Sequence, residues 1–158
     1  GNIVSFSSWD NLSRTLELNE RVLERYLMDL KWSQVSHNRH LTPQLVDLYC
    51  QRWNWTELSQ NPYLPLDHPG LVERYEEKWD WFHLSSHPRL TPYLIQKYIQ
   101  RFNFCLLSGN PNLTEELIER YLPYWKWIVL SSNPALTPRL IAQYQRLINW
   151  DSLSSNPG

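Results

Sequence analysis

An all-α fold built as an α-solenoid of two-helix repeats is predicted for this 158-residue chain by three features. An aromatic residue returns with a period of 23, Thr-Pro opens an amphipathic stripe in several of the periods, and no strand-like alternation competes. Trp9, Trp32, Trp55, Trp81, Phe104, Trp127 and Trp150 lead seven copies, and five of the six intervals are 23 residues. The sixth, Trp55 to Trp81, is 26, with the extra residues inside Leu66-Asp67-His68-Pro69-Gly70. A stack of modules tolerates a loop insertion that leaves the flanking phase intact.

Each copy reads as a short helix A, an Asn-Pro turn and a longer helix B. With the leading aromatic as position 0, position 3 is Leu or Val and position 4 is Ser in all seven copies. Asn54, Asp80, Asn103 and Asn149 precede the aromatic as N-caps of helix A, roughly one and a half turns long. In Asn54-Trp55-Thr56-Glu57 the glutamate resembles the second half of a capping box. Positions 6 and 7 read Asn-Pro at Asn61-Pro62, Asn110-Pro111, Asn133-Pro134 and Asn156-Pro157, with His87-Pro88 and Asn38-Arg39 as variants. A left-handed Asn would end helix A, and Pro beyond it would block continuation. Thr42-Pro43, Thr91-Pro92, Thr137-Pro138 and Thr114-Glu115 then open helix B, the hydroxyl capping an orphan N–H. From Pro43, the apolar Leu45, Val46, Tyr49 and Trp53 trace one face of a helix about 11 residues long.

One such hairpin cannot shelter its own aromatics, so copies are expected to pack on one another. At about 8–10 Å per layer, six to seven layers would form an arc on the order of 50–65 Å long. Residues 1–158 read as a single helical-repeat domain of about six and a half units. The first copy departs most, with Thr15-Leu16 in place of Asn-Pro and Leu30 in place of the aromatic at position 21. The stop at Asn156-Pro157-Gly158, in mid-unit, fits either a segment of a longer array or a terminal half-repeat, and open ends would allow self-association.

The phrase W-x-x-L-S-x-N-P-x-L-T-P-x-L-I-x-x-Y, running through about residues 9 to 157, resembles short tandem helical repeats of giant-virus and bacterial proteins, mostly of unassigned activity. That resemblance implies a helical-repeat architecture and no particular chemistry. The Leu-Thr-Pro phrase is also similar to the DNA-reading repeats of plant pathogens, but those are longer and strongly basic.

Composition narrows the function classes. Nine Trp, nine Tyr and eleven Pro against four Gly describe neither a flexible linker nor a disordered tail. A net charge of −1 without like-charge blocks leaves no footprint for nucleic acid or an anionic membrane. No apolar run approaches the roughly 20 residues of a membrane span. Gly1-Asn2-Ile3-Val4-Ser5-Phe6 has no signal-peptide character. Cys50 and Cys105 occupy unrelated positions, so no disulfide framework is expected and an intracellular, cytoplasmic setting is the default.

A position held constant in every copy solves a problem every copy has. Trp32, Trp55, Trp81, Phe104, Trp127 and Trp150, with Tyr49, Tyr75, Tyr98, Tyr121 and Tyr144, are therefore assigned to packing between repeats. The Ser and Tyr hydroxyls are expected to satisfy backbone groups at the turns. Function is expected where copies differ. Position 8 reads Glu17, His40, Tyr63, Arg89, Asn112 and Ala135, either a plain solvated turn or a row of binding groups. Positions 1 and 2 are polar in the outer copies but read Phe82-His83, Cys105-Leu106 and Ile128-Val129 in the middle ones. Three adjacent layers sharing a second buried seam is the favoured expectation; an exposed patch for a partner is the other.

Chemistry-bearing patterns are sparse. His83 and His87 are four apart, and His37 and His40 three apart, but a zinc site needs three or four convergent ligands. No Gly-rich phosphate loop, G-x-S-x-G or H-E-x-x-H is present. Glu73, Glu76, Glu77, Glu116 and Glu119 lie among Arg and Lys, the pattern of a solvated helix face. The expected function is a non-enzymatic scaffold, without metal or cofactor, that binds a protein or peptide. The alternatives are a single-stranded nucleic-acid array with one base per layer, and a spacer or oligomerising segment.

Overall fold

The computed structural model describes residue 13 and residues 20–26 and 28–157. Among them are twelve α-helices, one 3₁₀ turn and no strand, the all-α repeat fold that the periodicity predicts. In the copy led by Trp9, helix A and its turn, including Leu12, Thr15-Leu16 and Glu17, lie outside the described residues apart from Ser13. The chain divides into two compact units, Gly1–Asp80 and Trp81–Gly158. The first holds α1 (Glu20–Tyr26), α2 (Trp32–Val35), α3 (Pro43–Leu48), α4 (Trp55–Gln60) and α5 (Leu71–Arg74). The second holds α6 (Trp81–Leu84), α7 (Pro92–Lys97), α8 (Phe104–Leu107), α9 (Glu115–Arg120), the 3₁₀ turn Leu122–Tyr124, α10 (Trp127–Leu130), α11 (Pro138–Gln143) and α12 (Trp150–Leu153).

The helix starts form for the reason the sequence supplies. Thr42, Thr91, Thr114 and Thr137 each accept, at Oγ1, the N–H of the leucine three residues on, at 3.2–3.4 Å. Asn54, Asn103 and Asn149 cap helix A in the same way. The capping box at Glu57 is only half made. The Asn54 N–H goes to Ser36 Oγ instead, and Glu57 turns to pair with His37.

Helix B is shorter than the apolar stripe implies. α3, α7, α9 and α11 run six residues, and their Tyr C-caps leave helical geometry, with φ between −116° and −112°. The third copy reverses the expected lengths: α4 has six residues and α5 four. In three copies an indole hydrogen bond occupies the end of helix B, although α7 and α11, followed by Phe102 and Ile148, stop at the same tyrosine without one. The indole N–H groups of Trp53, Trp79 and Trp125 donate to the carbonyls of Val46, Val72 and Ile118, at 2.9–3.2 Å. Those carbonyls would accept from the next helical turn if the helix continued. The aromatic at position 21 thus folds back on helix B and is buried.

The core of each unit is the row of position-3 residues, Val35 and Leu58 in the first and Leu84, Leu107 and Leu130 in the second, all fully buried. Helix-B pairs such as Val46 with Leu45 and Ile118 with Leu117 join them. The insertion in the third copy is built in: Leu64 and Leu66 are buried, and Gly70 at φ 80° opens α5 where other copies have Thr. Only glycine takes that conformation without strain.

Polar atoms, not apolar ones alone, set the register between copies. Asn61, Asn110 and Asn133 at position 6 are each a buried three-way tie. Asn61 Nδ2 donates to the carbonyls of Ser36 and Asn38 in the preceding copy, both at 2.8 Å, and Oδ1 accepts from the Tyr63 N–H. Asn110 and Asn133 repeat the pattern in the second unit. These asparagines are not left-handed helix terminators: Asn61 is extended, at φ −72° and ψ 114°, and no described non-glycine residue has positive φ. Serine at position 4 supplies a second tie. Ser108 Oγ donates to the Phe104 carbonyl and accepts the Lys126 N–H of the next copy. Ser36, Ser59, Ser85 and Ser131 do the same in their copies.

The Tyr75 hydroxyl departs from expectation. Tyr75 donates to a carboxylate, Asp47 Oδ1 at 2.6 Å, not to backbone, and Arg74 bridges the same Asp47. Burial, then the bond to Asp47, pushes the Tyr75 hydroxyl up to about 12. A folded pKa above the unfolded value means the neutral phenol is favoured in the folded state. Its stabilisation is complete below about pH 10 and is lost between about pH 10 and 12. The Tyr75→Phe variant should therefore lose less stability than the parent across that window, read by denaturant titration at each pH.

Candidate functional site

The leading aromatics, assigned to packing, lie half-buried within their own copies. Trp32 sits 5.4 Å from Tyr49 and 5.0 Å from Trp53, and Trp55 4.9 Å from Tyr75. Trp81 stacks on Tyr98, and Trp127 approaches Tyr144. Phe104 meets Tyr124 and Trp125, while Tyr121 is the half-buried C-cap of α9. Trp150 stands 57% exposed. Most of the aromatic faces are thus engaged by other rings of the same copy.

The structure separates positions 1 and 2 cleanly. Helix A is a single turn whose position-3 Leu or Val points to the core, which puts position 1 on the far side. Phe82 is 55% exposed and Ile128 63%, and Cys105 is an exposed free thiol. His83, Leu106 and Val129 at position 2 are half-buried beside them. The favoured expectation, a second buried seam, is therefore corrected: burying position 3 on so short a helix leaves position 1 in solvent. Three apolar side chains follow one another along the second unit. Because the Asn and Ser ties link residues 23 and 18 apart, equivalent side chains repeat at the helix-packing distance, roughly 8–10 Å.

Position 5 completes the surface, and sequence reasoning passed over it. In the second unit it reads Ser86, Gly109 and Ser132, so the face formed by positions 1, 2 and 5 carries no Lys, Arg, Asp or Glu from Phe82 to Ser132. Gly109 is not required by the fold. An added Cβ would meet only ordinary contacts at 3.5 Å, and its φ is not positive. The equivalent face of the first unit is polar: Ser33, Gln34 and His37, then Thr56, Glu57 and Gln60, crossed by the His37–Glu57 pair.

The turn tips at position 8 do not behave as one row. Tyr63 and Arg89 are exposed, whereas His40, Asn112 and Ala135 are half-buried. Asn112 Nδ2 ties back to the carbonyls of Pro88 and Leu90, a structural task. Of the histidines weighed as a pair, His87 is a buried member of the polar ladder, with Nδ1 accepting the Arg89 N–H. Among the described residues no group of three or more His, Cys, Asp or Glu is placed to hold a metal ion. No described helix is long and apolar enough to cross a membrane.

Charge is divided between the units in a way the overall −1 conceals. Residues 1–80 carry eight Lys and Arg against twelve Asp and Glu, a formal −4, and residues 81–158 carry seven against four, a formal +3. Counting charge by halves would have exposed this. Three of the four carboxylates of the second unit lie on α9 and are paired. Glu115 and Glu119 meet Arg139, and Glu116 meets Arg120. The bonds from Thr137 and then Arg139 hold the Glu115 carboxyl below its ordinary range. No protein-family model, curated protein or solved structure matches the chain.

Proposed function

We propose that the protein is a non-enzymatic binding scaffold that takes a protein or peptide partner on the helix-A face of its second unit. The observation that carries this reading is the uncharged run of exposed Phe82, Cys105 and Ile128 with half-buried Leu106 and Val129 between them. A soluble domain gains nothing for its own stability by presenting these side chains to water. Grouped on one face, they are the composition of an interface centre. The first unit, polar at the same positions, supplies the comparison within one chain.

Photo-crosslinkers placed at positions 82, 105 and 128 should trap the partner, and crosslinkers at Gln96 and Gln143 on the helix-B face should not. Phe82→Asp with Ile128→Asp should weaken binding by roughly 30-fold or more, the scale of a lost hot spot. Thermal stability should stay within about 0.5 kcal/mol per site, because both side chains are largely in water already. Equal crosslinking from both faces, or full binding by the double variant, refutes the placement.

A further inference from the structure

We infer that His87 makes the second unit acid-sensitive at one defined place, its protonation releasing the turn that carries Arg89 and loosening the copy led by Trp81. The repeat itself shows why. In four other copies the side chain at position 6 is Asn, and its Oδ1 accepts the backbone N–H two residues on. Asn38 accepts from His40, Asn61 from Tyr63, Asn110 from Asn112 and Asn133 from Ala135, at 2.8–3.0 Å. The copy led by Trp81 does the same work with a ring nitrogen. His87 is 2% exposed, and its Nδ1 accepts the Arg89 N–H at 3.0 Å. An amide oxygen accepts at any ordinary pH, whereas an imidazole nitrogen accepts only while it carries no proton.

Protonation turns Nδ1 into a donor aimed at another donor, in a buried site where an unmet backbone N–H is costly. The second unit supplies nothing to favour the cation. No Asp or Glu lies between Trp81 and Thr114. α6 carries His83, the turn carries Arg89, and α7 and the segment after it carry Lys97 and Arg101. The turn of the next copy, whose Asn110 Nδ2 donates to the His87 carbonyl at 3.2 Å, is neutral. In the preceding copy, which belongs to the first unit, helix A carries Glu57, paired with His37, and the copy ends on Asp80. An unfolded histidine takes up its proton at about pH 6.5, and a buried acceptor resists it. Below that pH the closed turn therefore binds fewer protons than the open one, and its stability falls as pH falls. The copy that loosens also presents Phe82, so the device acts at one end of the exposed strip with or without a partner.

Amide hydrogen exchange of the full chain, followed by NMR between about pH 7.5 and 5, reads the turn directly. After correction for the intrinsic rate, protection of the Arg89 N–H should fall by up to about tenfold per pH unit below about pH 6.5. The Asn112 and Ala135 N–H groups, bonded to amide oxygens that do not titrate, should keep theirs. His87→Asn installs the residue that the other copies use and keeps an acceptor for the Arg89 N–H, so it should fold and lose the excess fall at residue 89. Equal pH dependence at the three amides of the parent chain overturns the inference. So does an excess fall at Arg89 that persists in His87→Asn.

Discussion

Asn110→Leu is expected to lower the stability of the second unit by about 3–5 kcal/mol, although the replacement is close in volume and more apolar. The reason is what the amide leaves behind. Its Nδ2 serves the Ser85 and His87 carbonyls, at 3.1 and 3.2 Å, and its Oδ1 serves the Asn112 N–H at 3.0 Å. Leucine strands all three in a site where Asn110 is 1% exposed. An unsatisfied buried group costs about 1–3 kcal/mol, and partial relaxation keeps the sum near the lower end. Asn110→Asp should be no better, since a carboxylate accepts but cannot donate to two carbonyls. For a unit of this size the melting temperature should fall by more than about 12 °C, read by circular dichroism. A change below about 1 kcal/mol would mean that the ladder follows the packing and does not hold it.

Trp125→Ala should cost about as much, roughly 3–5 kcal/mol, through lost packing and a cavity. The ring is 4% exposed, lies 5.1 Å from Phe104, and donates its N–H to the Ile118 carbonyl at 2.9 Å. Trp125→Phe separates the two contributions. The second unit already uses Phe102 at the equivalent position, packed 5.4 Å from Trp81, so a phenyl ring fits the architecture. That variant should lose only the hydrogen bond, about 1–2 kcal/mol. Urea titrations of both variants measure the split. If phenylalanine proves as damaging as alanine, the indole N–H, not the ring, carries the stabilisation.

What could be read along the chain was whatever obeys a local rule or repeats. The 23-residue period placed every described helix within its copy, because each copy faces the same packing problem. Thr-Pro marked helix starts because a hydroxyl cap and a proline ring act on residues three or four positions away. The change at positions 1 and 2, apolar in the middle copies and polar in the outer ones, also came from the repeat, since departures stand out only against a constant background.

Three features could not be read that way. Asn61 looked like a helix terminator because its local chemistry permits that role; its actual partners, Ser36 and Asn38, sit one whole copy earlier. Helix B stops at its tyrosine in all four six-residue copies, with or without an indole four residues further on that takes a helix carbonyl, and a periodicity of apolar residues shows neither the stop nor the bond. Phe82, Cys105 and Ile128 read as core, and hydrophobicity alone supports that. Their exposure follows from the placement of the neighbouring copy, which covers position 3 of a one-turn helix and leaves position 1 uncovered. Residue type states a preference for water or for its absence. Which preference is met depends on what lies across the gap, and that is settled only when the copies pack.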